Sequence, residues 1–221
     1  MPLEALIFDL DGTLVDTAPD LMTATNHALA SIGRNPISME NVRHFVGHGA
    51  KMLLRQGCIA TGGEVDGATA QNLYAKFLDY YYDHIADHSV VFPGILTLLE
   101  QARRNGLKLG VCTNKVERLS QRLLDELKLS DIFGAVVGGD TLPIMKPDPA
   151  PYREVASRLG VNAANTLMFG DSETDIRTAQ NAGVSVIAVT FGYTPQPVAS
   201  YNPTHVISHY DQAWPIISKY L

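Results

Sequence analysis

The run Leu6-Ile7-Phe8-Asp9-Leu10-Asp11-Gly12-Thr13-Leu14-Val15-Asp16 limits the folds open to this chain more than any other stretch. Ala5 to Phe8 is uniformly apolar, which suits a strand covered on both faces, and the run halts at acid, glycine and threonine. Such a strand delivers Asp9 to its own carboxyl end. In open α/β sheets ligands collect at the carboxyl ends of strands, so an acid there, with a second acid two residues on, is placed for chemistry. Asp-Gly is also an ordinary turn dipeptide, and the chemical reading depends on matching pieces downstream.

After Asp16 the periodicity turns helical. Leu21, Thr25, Ala28, Leu29 and Ile32 share one helical face, with Gly33 as the stop. Ser38 is placed to cap a short helix toward Phe45, another helix is expected over 50–59, and the Gly62-Gly63 pair precedes a longer one over 65–88. No strand-like alternation interrupts this region. From Pro93 onward helices alternate with short apolar strands (108–112, 135–137, 166–169, 184–189 and an edge strand over 204–207), the pattern of a parallel sheet covered on both faces. The expectation is an α/β fold: a Rossmann-like parallel sheet core built from 1–16 and 91–221, with an all-helical cap inserted over 17–90.

A chain that is 46% hydrophobic and 18% charged can bury a core of this size. Its formal net charge of -6 and the absence of a Lys/Arg-rich run argue against nucleic acid and anionic membrane surfaces as partners. Cys58 and Cys112 are far apart and form no CxxC, which supports neither a disulfide framework nor a zinc site and fits a reducing cytoplasm. The N-terminal apolar run lacks a basic flank and is broken by acids, so it reads as a core strand rather than a signal peptide. No segment is apolar for long enough to span a bilayer.

Three loops after expected core segments carry polar residues of a matched kind. The first holds Thr113-Asn114, the second runs from Asp140 to Lys146-Pro147-Asp148-Pro149, and the third is Gly170-Asp171-Ser172-Glu173-Thr174-Asp175. In a parallel sheet these ends emerge on one edge, crowding Asp9, Asp11, Asp171 and Asp175. Carboxylates that close need a shared cation or proton, and hard oxygen ligands point to Mg²⁺. Singly, Thr113-Asn114 and Asp171-Ser172 are acceptable helix caps and Lys146 an exposed turn lysine; it is the four together that point to a site.

With those motifs in that order, the chain resembles the haloacid dehalogenase superfamily of phosphohydrolases. The resemblance implies hydrolysis of phosphomonoesters with Mg²⁺, under a helical cap. Asp9 would attack phosphorus to form an aspartyl-phosphate, and Asp11 would protonate the leaving group and then activate water. Thr113 and the Asn114 amide would bind phosphoryl oxygens while Lys146 balances their charge. Asp171 would hold the metal with an Asp9 oxygen and the Asp11 carbonyl, Asp175 supporting them or joining them.

Within that family the segments Asp9–Leu21 and Gly138–Pro149 look most like phosphoglycolate phosphatases, which makes 2-phosphoglycolate the expected substrate. A phosphosugar or pyrophosphate phosphatase and a phosphosugar mutase are the alternatives in the same fold, and a phospho-accepting receiver module is the alternative outside it. Gly47, with Arg43, His48, Lys51 and Arg55 around it, resembles the cap loop that faces the active site in phosphoglycolate phosphatases; amides beside a cation suit a small carboxylate, and Gly47, Lys51 and Arg55 are the candidate substrate-binding residues there. His84 and His88 sit four apart on the expected 65–88 helix, but no third ligand accompanies them, and they read as a solvated helix end.

Overall fold

The computed structural model describes residues 2–221. Strand β1 (Ala5–Phe8) lies at the middle of a six-stranded sheet, flanked by β4 (Lys108–Cys112) and β6 (Thr166–Gly170). Beyond them come β5 (Ala135–Val137) on one side, and β7 (Ser185–Val189) and β8 (His205–Ile207) on the other. All five pairings are parallel, with Phe8 level with Val111 and Phe169, so the strands end on a common edge. Strand order runs outward from β1 in both directions, and the crevice at that reversal is where such sheets bind ligands.

The side chains of β1 divide between the faces, as strand geometry requires. Leu6 and Phe8 join one apolar cluster, Ala5 and Ile7 the other, and all four are fully buried. Helices α7 (Ala150–Leu159) and α8 (Glu173–Ala182) cover the second face through Tyr152, Val155, Ile176 and Ala179. At Gly110 of β4 a Cβ would lie 2.4 Å from Val155 Cγ1, so the missing side chain lets α7 sit close on the sheet. Helices α5 (Ile95–Arg104) and α6 (Glu117–Glu126) contribute Leu98, Leu99, Leu119 and Leu123 to the first cluster.

The helical insertion consists of α1 (Ala18–Ala30), α2 (Met39–Phe45), α3 (Ala50–Gly62) and α4 (Gly67–Asp83). Ser38 caps α2 in a reciprocal box with Asn41, as its position in the sequence leads one to expect. The chain leaves the core through β2 (Val15–Asp16) and returns through β3 (Val90–Val91), paired antiparallel as a two-stranded ribbon that the helical pattern around it did not announce. Asp20, 2% exposed, ties the two crossings together: its carboxylate accepts from the amides of His88 and Ser89 and from the Ser89 hydroxyl.

Helix α4 is shorter than the expected 65–88 span. It stops at Asp83, where His84 takes the C-cap position, so His84 and His88 do not share a helical face. His84 instead contacts Asp87, and the His88 amide serves Asp20. Among the described residues no helix is long and apolar enough to cross a membrane.

Candidate active site

The Asp9 amide donates to the Phe169 carbonyl at 2.9 Å, continuing the β1–β6 ladder by one residue. That bond fixes the acid at the carboxyl edge of the central strand. Next, the chain must reverse. Gly12 takes φ +83°, and a Cβ there would lie 2.4 Å from Asp171 Oδ2, so both the turn and the approach of the late acid require glycine.

Asp171 is clamped from two sides. Thr13 Oγ1 donates to its Oδ1 at 3.0 Å and the Tyr193 amide to its Oδ2 at 2.6 Å. At Gly192 a Cβ would stand 2.2 Å from that of Asp171, so the loop after β7 passes directly against it. Asp175, in the first turn of α8, caps its own helix: Oδ2 accepts from the amides of Asp171 and Ser172 and from the Ser172 hydroxyl. Its other oxygen accepts from Lys146 Nζ at 2.6 Å.

Lys146 Nζ also lies 2.8 Å from Asp9 Oδ1. Burial works against its charge, but the Asp175 and Asp9 carboxylates outweigh it and hold the lysine above its usual range. The lysine backbone is bracketed by Asn114, whose Oδ1 accepts from its amide at 3.0 Å and whose Nδ2 donates to its carbonyl at 3.1 Å. The same Nδ2 reaches the Gly47 carbonyl at 3.3 Å, joining the insertion to the core at the site itself. Thr113 is buried beside Asn114, its amide donating to Val137 and its hydroxyl accepting from the Lys115 amide.

Asp9, Asp171 and Asp175 each offer a carboxylate oxygen within 4.8 Å of the others, and all three are buried. Burial, and then the charge of Asp175, push the Asp9 carboxyl up to about 7 against the pull of Lys146. The same two causes raise Asp171 well above the carboxylate range. Three buried carboxylates face one buried ammonium, and the excess negative charge on hard oxygen donors fits a divalent cation. Asp175, with both oxygens already engaged, suits a supporting position better than direct ligation.

The Asp11 side chain points elsewhere. It accepts from Thr17 Oγ1 at 2.7 Å and pairs with Lys115 Nζ at 2.9 Å, outside the acidic cluster. Of the metal ligands expected from the sequence, Asp11 thus has only its backbone carbonyl left to contribute. Lys115 and Tyr81 were not among the expected site residues. The lysine is 7% exposed, its ammonium 2.8 Å from the Tyr81 hydroxyl and 4.5 Å from the centroid of that ring. Lys115 stands next to Thr113-Asn114, where a cation one residue past a strand-end pair was the available signal. Tyr81 gave no sign beyond an apolar helical position.

Asp9, Asp11, Thr113, Asn114, Lys115 and Gly47 line one cavity, of about 40 Å³. That is room for only a few water-sized groups, at roughly 10–15 Å³ each. Lys51 and Arg55, expected at the substrate's far end, are not brought to it. Ala50 and Leu53 turn that face of α3 toward the cavity, and the helical phase carries Lys51 and Arg55 to a separate hollow between α3 and α4. There Lys51 lies over the Tyr74 ring and Arg55 pairs with Glu64.

The match to known proteins agrees with this geometry. The family model described as haloacid dehalogenase-like hydrolase matches residues 6–189. A phosphoglycolate phosphatase from Mesorhizobium japonicum is 41% identical over 206 residues, covering 93% of this chain and 91% of its own. One from Agrobacterium fabrum is 38% identical over 221 residues, covering 100% and 95%. The crystal structure of a predicted phosphoglycolate phosphatase from Haemophilus somnus superposes with a TM-score of 0.91 at 30% identity, over 97% of each chain.

Proposed function

This chain belongs to the haloacid dehalogenase-like hydrolases and is a phosphatase, and from that premise we propose that it hydrolyses 2-phosphoglycolate to glycolate and phosphate through an aspartyl-phosphate on Asp9, using Mg²⁺ in the cytoplasm. The observation that carries the mechanism is the pairing of Asp9 with Lys146 at the edge of the central strand, beside the clamped carboxylate of Asp171. The choice of a carboxylate-bearing substrate is supported by the names of the relatives.

In this reading the free oxygen of Asp9 attacks phosphorus, dividing one displacement into two easier ones. Lys146 holds the other oxygen and sets positive charge against the transferring group. The Thr113 hydroxyl and the Asn114 amide supply donors to the phosphoryl oxygens. Asp11 gives a proton to the departing alkoxide and later takes one from the water that opens the acyl-phosphate. Asp9, Asp171 and the Asp11 carbonyl would hold Mg²⁺, whose chemistry is charge neutralisation at the phosphoryl oxygens. The buried, unpaired Cys58 and Cys112 suit a reducing compartment.

Steady-state phosphate release from a panel of phosphomonoesters tests the substrate. The highest kcat/KM is expected for 2-phosphoglycolate, and equal or better turnover of a phosphosugar or of pyrophosphate overturns that assignment. Rapid quench with labelled substrate tests the intermediate: label trapped on Asp9 is expected, and its absence at single-turnover concentrations overturns the covalent step.

A further inference from the structure

A substrate with phosphate at one end and carboxylate at the other brings two separate negative charges into a small cavity. Lys146 is committed to the phosphoryl end, bound to Asp9 and Asp175. Lys51 and Arg55 face a different hollow, and Arg43 pairs with Asp16. Among the residues lining the cavity that holds Asp9, the one cation is Lys115. The rest of that wall is largely apolar, with Leu21, Leu53 and Phe77 among the buried residues that line it. An unmatched carboxylate there would lose its hydration without a partner, which is costly.

We propose that Lys115 is the residue that receives the substrate's carboxylate and so sets the preference for carboxylate-bearing phosphomonoesters. Its side chain is buried, held by Asp11 at 2.9 and 3.2 Å and by the Tyr81 hydroxyl at 2.8 Å. An ammonium has three donors; here the Tyr81 hydroxyl takes one at 2.8 Å, and the two Asp11 oxygens share the rest at 2.9 and 3.2 Å. The longer of the two Asp11 contacts, at 3.2 Å, is the one a carboxylate entering the cavity would displace, leaving Asp11 Oδ1 and the Tyr81 hydroxyl in place. Tyr81, on α4, also places its ring against the ammonium, so the position of the charge depends on the insertion being packed against the core. Specificity in this arrangement comes from a core lysine that the insertion orients, rather than from cations of the insertion itself.

The inference rests on the substrate reading above, and the experiment separates the two. Kinetics are compared for 2-phosphoglycolate and 2-hydroxyethyl phosphate, which replaces the carboxylate by a neutral alcohol, with wild type and Lys115→Met. The expected result is that wild type prefers 2-phosphoglycolate and that Lys115→Met raises KM for it by about tenfold or more, the loss of one charged hydrogen bond, while KM for the neutral ester stays within about twofold. If wild type prefers 2-phosphoglycolate and the variant keeps that preference, with kcat reduced on both esters, Lys115 merely positions Asp11 and the proposal falls while the substrate reading stands. If wild type shows no preference, the substrate reading falls and takes this inference with it. Should Lys115→Met fail to fold, Lys115→Arg keeps the charge and moves it. A KM change confined to 2-phosphoglycolate supports the proposal, and an unchanged KM or an equal effect on both esters overturns it.

Discussion

The backbone amide of Tyr193 donates to Asp171 Oδ2 across 2.6 Å. The same residue's hydroxyl donates to Asp16 Oδ1 and accepts from the amides of Thr17 and Ala18, where the chain departs into α1. One tyrosine therefore spans the distance between the acidic cluster and the root of the helical insertion. Removing its hydroxyl in Tyr193→Phe leaves two buried amides and an oxygen of the partly exposed Asp16 carboxylate short of a partner, at a cost of about 2–3 kcal/mol. Urea denaturation should register that loss, and kcat should fall as well because the insertion's first helix loses its anchor. Unchanged kcat at reduced stability would show that the anchor does not bear on turnover.

Asp9→Asn should reduce turnover by about a thousandfold or more, since an amide cannot serve as the nucleophile. Burial and Asp175 both oppose charge at this position, so the neutral side chain should leave the metal-free protein folded and no less heat-stable at pH 8. Activity assays and circular dichroism on one preparation check both halves; residual turnover near wild type would contradict the role of Asp9.

The raised carboxyl of Asp9 sets the direction of a pH effect on the metal-free protein. Between its ordinary 3.8 and about 7, the folded state holds a proton that the unfolded chain has released. Stability from that difference is complete below the unfolded value and is lost as pH rises through the folded one. Asp171, raised by the same causes, acts in the same sense. Melting temperature in EDTA should therefore fall from pH 5 to pH 8, and Mg²⁺ should restore it at the upper end. A flat profile, or no response to Mg²⁺, would count against a charged cluster that needs a cation.

Gly12→Ala puts a methyl into a left-handed backbone and against the Asp171 carboxylate. The backbone term alone is worth about 1 kcal/mol or more, and displacement of Asp171 should weaken Mg²⁺ activation at least about tenfold. Titrating activity against Mg²⁺ measures the second effect independently of the first.

Lys51→Ala and Arg55→Ala should leave KM for 2-phosphoglycolate within about twofold, because both side chains face the hollow between α3 and α4. A selective rise in KM would mean that the insertion rearranges enough on binding to swing this face of α3 inward.

The core was legible because its signals are local and redundant. Ala5 to Phe8 is apolar without alternation, and each later strand sits between helices with clear stops, such as Gly106 after α5 and Gly183 after α8. The acids of the cluster were legible because parallel strands carry their ends to one edge, so Asp9 and Asp171 meet despite their separation. Lys51 and Arg55 went astray for a physical reason: spacing along α3 tells which residues share a face, but not which face the packing turns inward. Tyr193 was invisible for another, since it works through contacts far along the chain that no local pattern encodes, and Lys115, though it directly follows Thr113-Asn114, meets Tyr81 of α4 only in the folded chain. The end of α4 was misjudged because apolar residues such as Ile85 continue past Asp83 to pack in the core without continuing the helix.

Because Val15 and Val91 are cross-strand neighbours, the chain goes out and comes back at one doorway. Whatever is threaded between them can be traded for another assembly of different size without shifting a single rung of the central ladder. Selectivity is free to drift while the chemistry stands still, and chimeras cut between these two valines would put that independence to use.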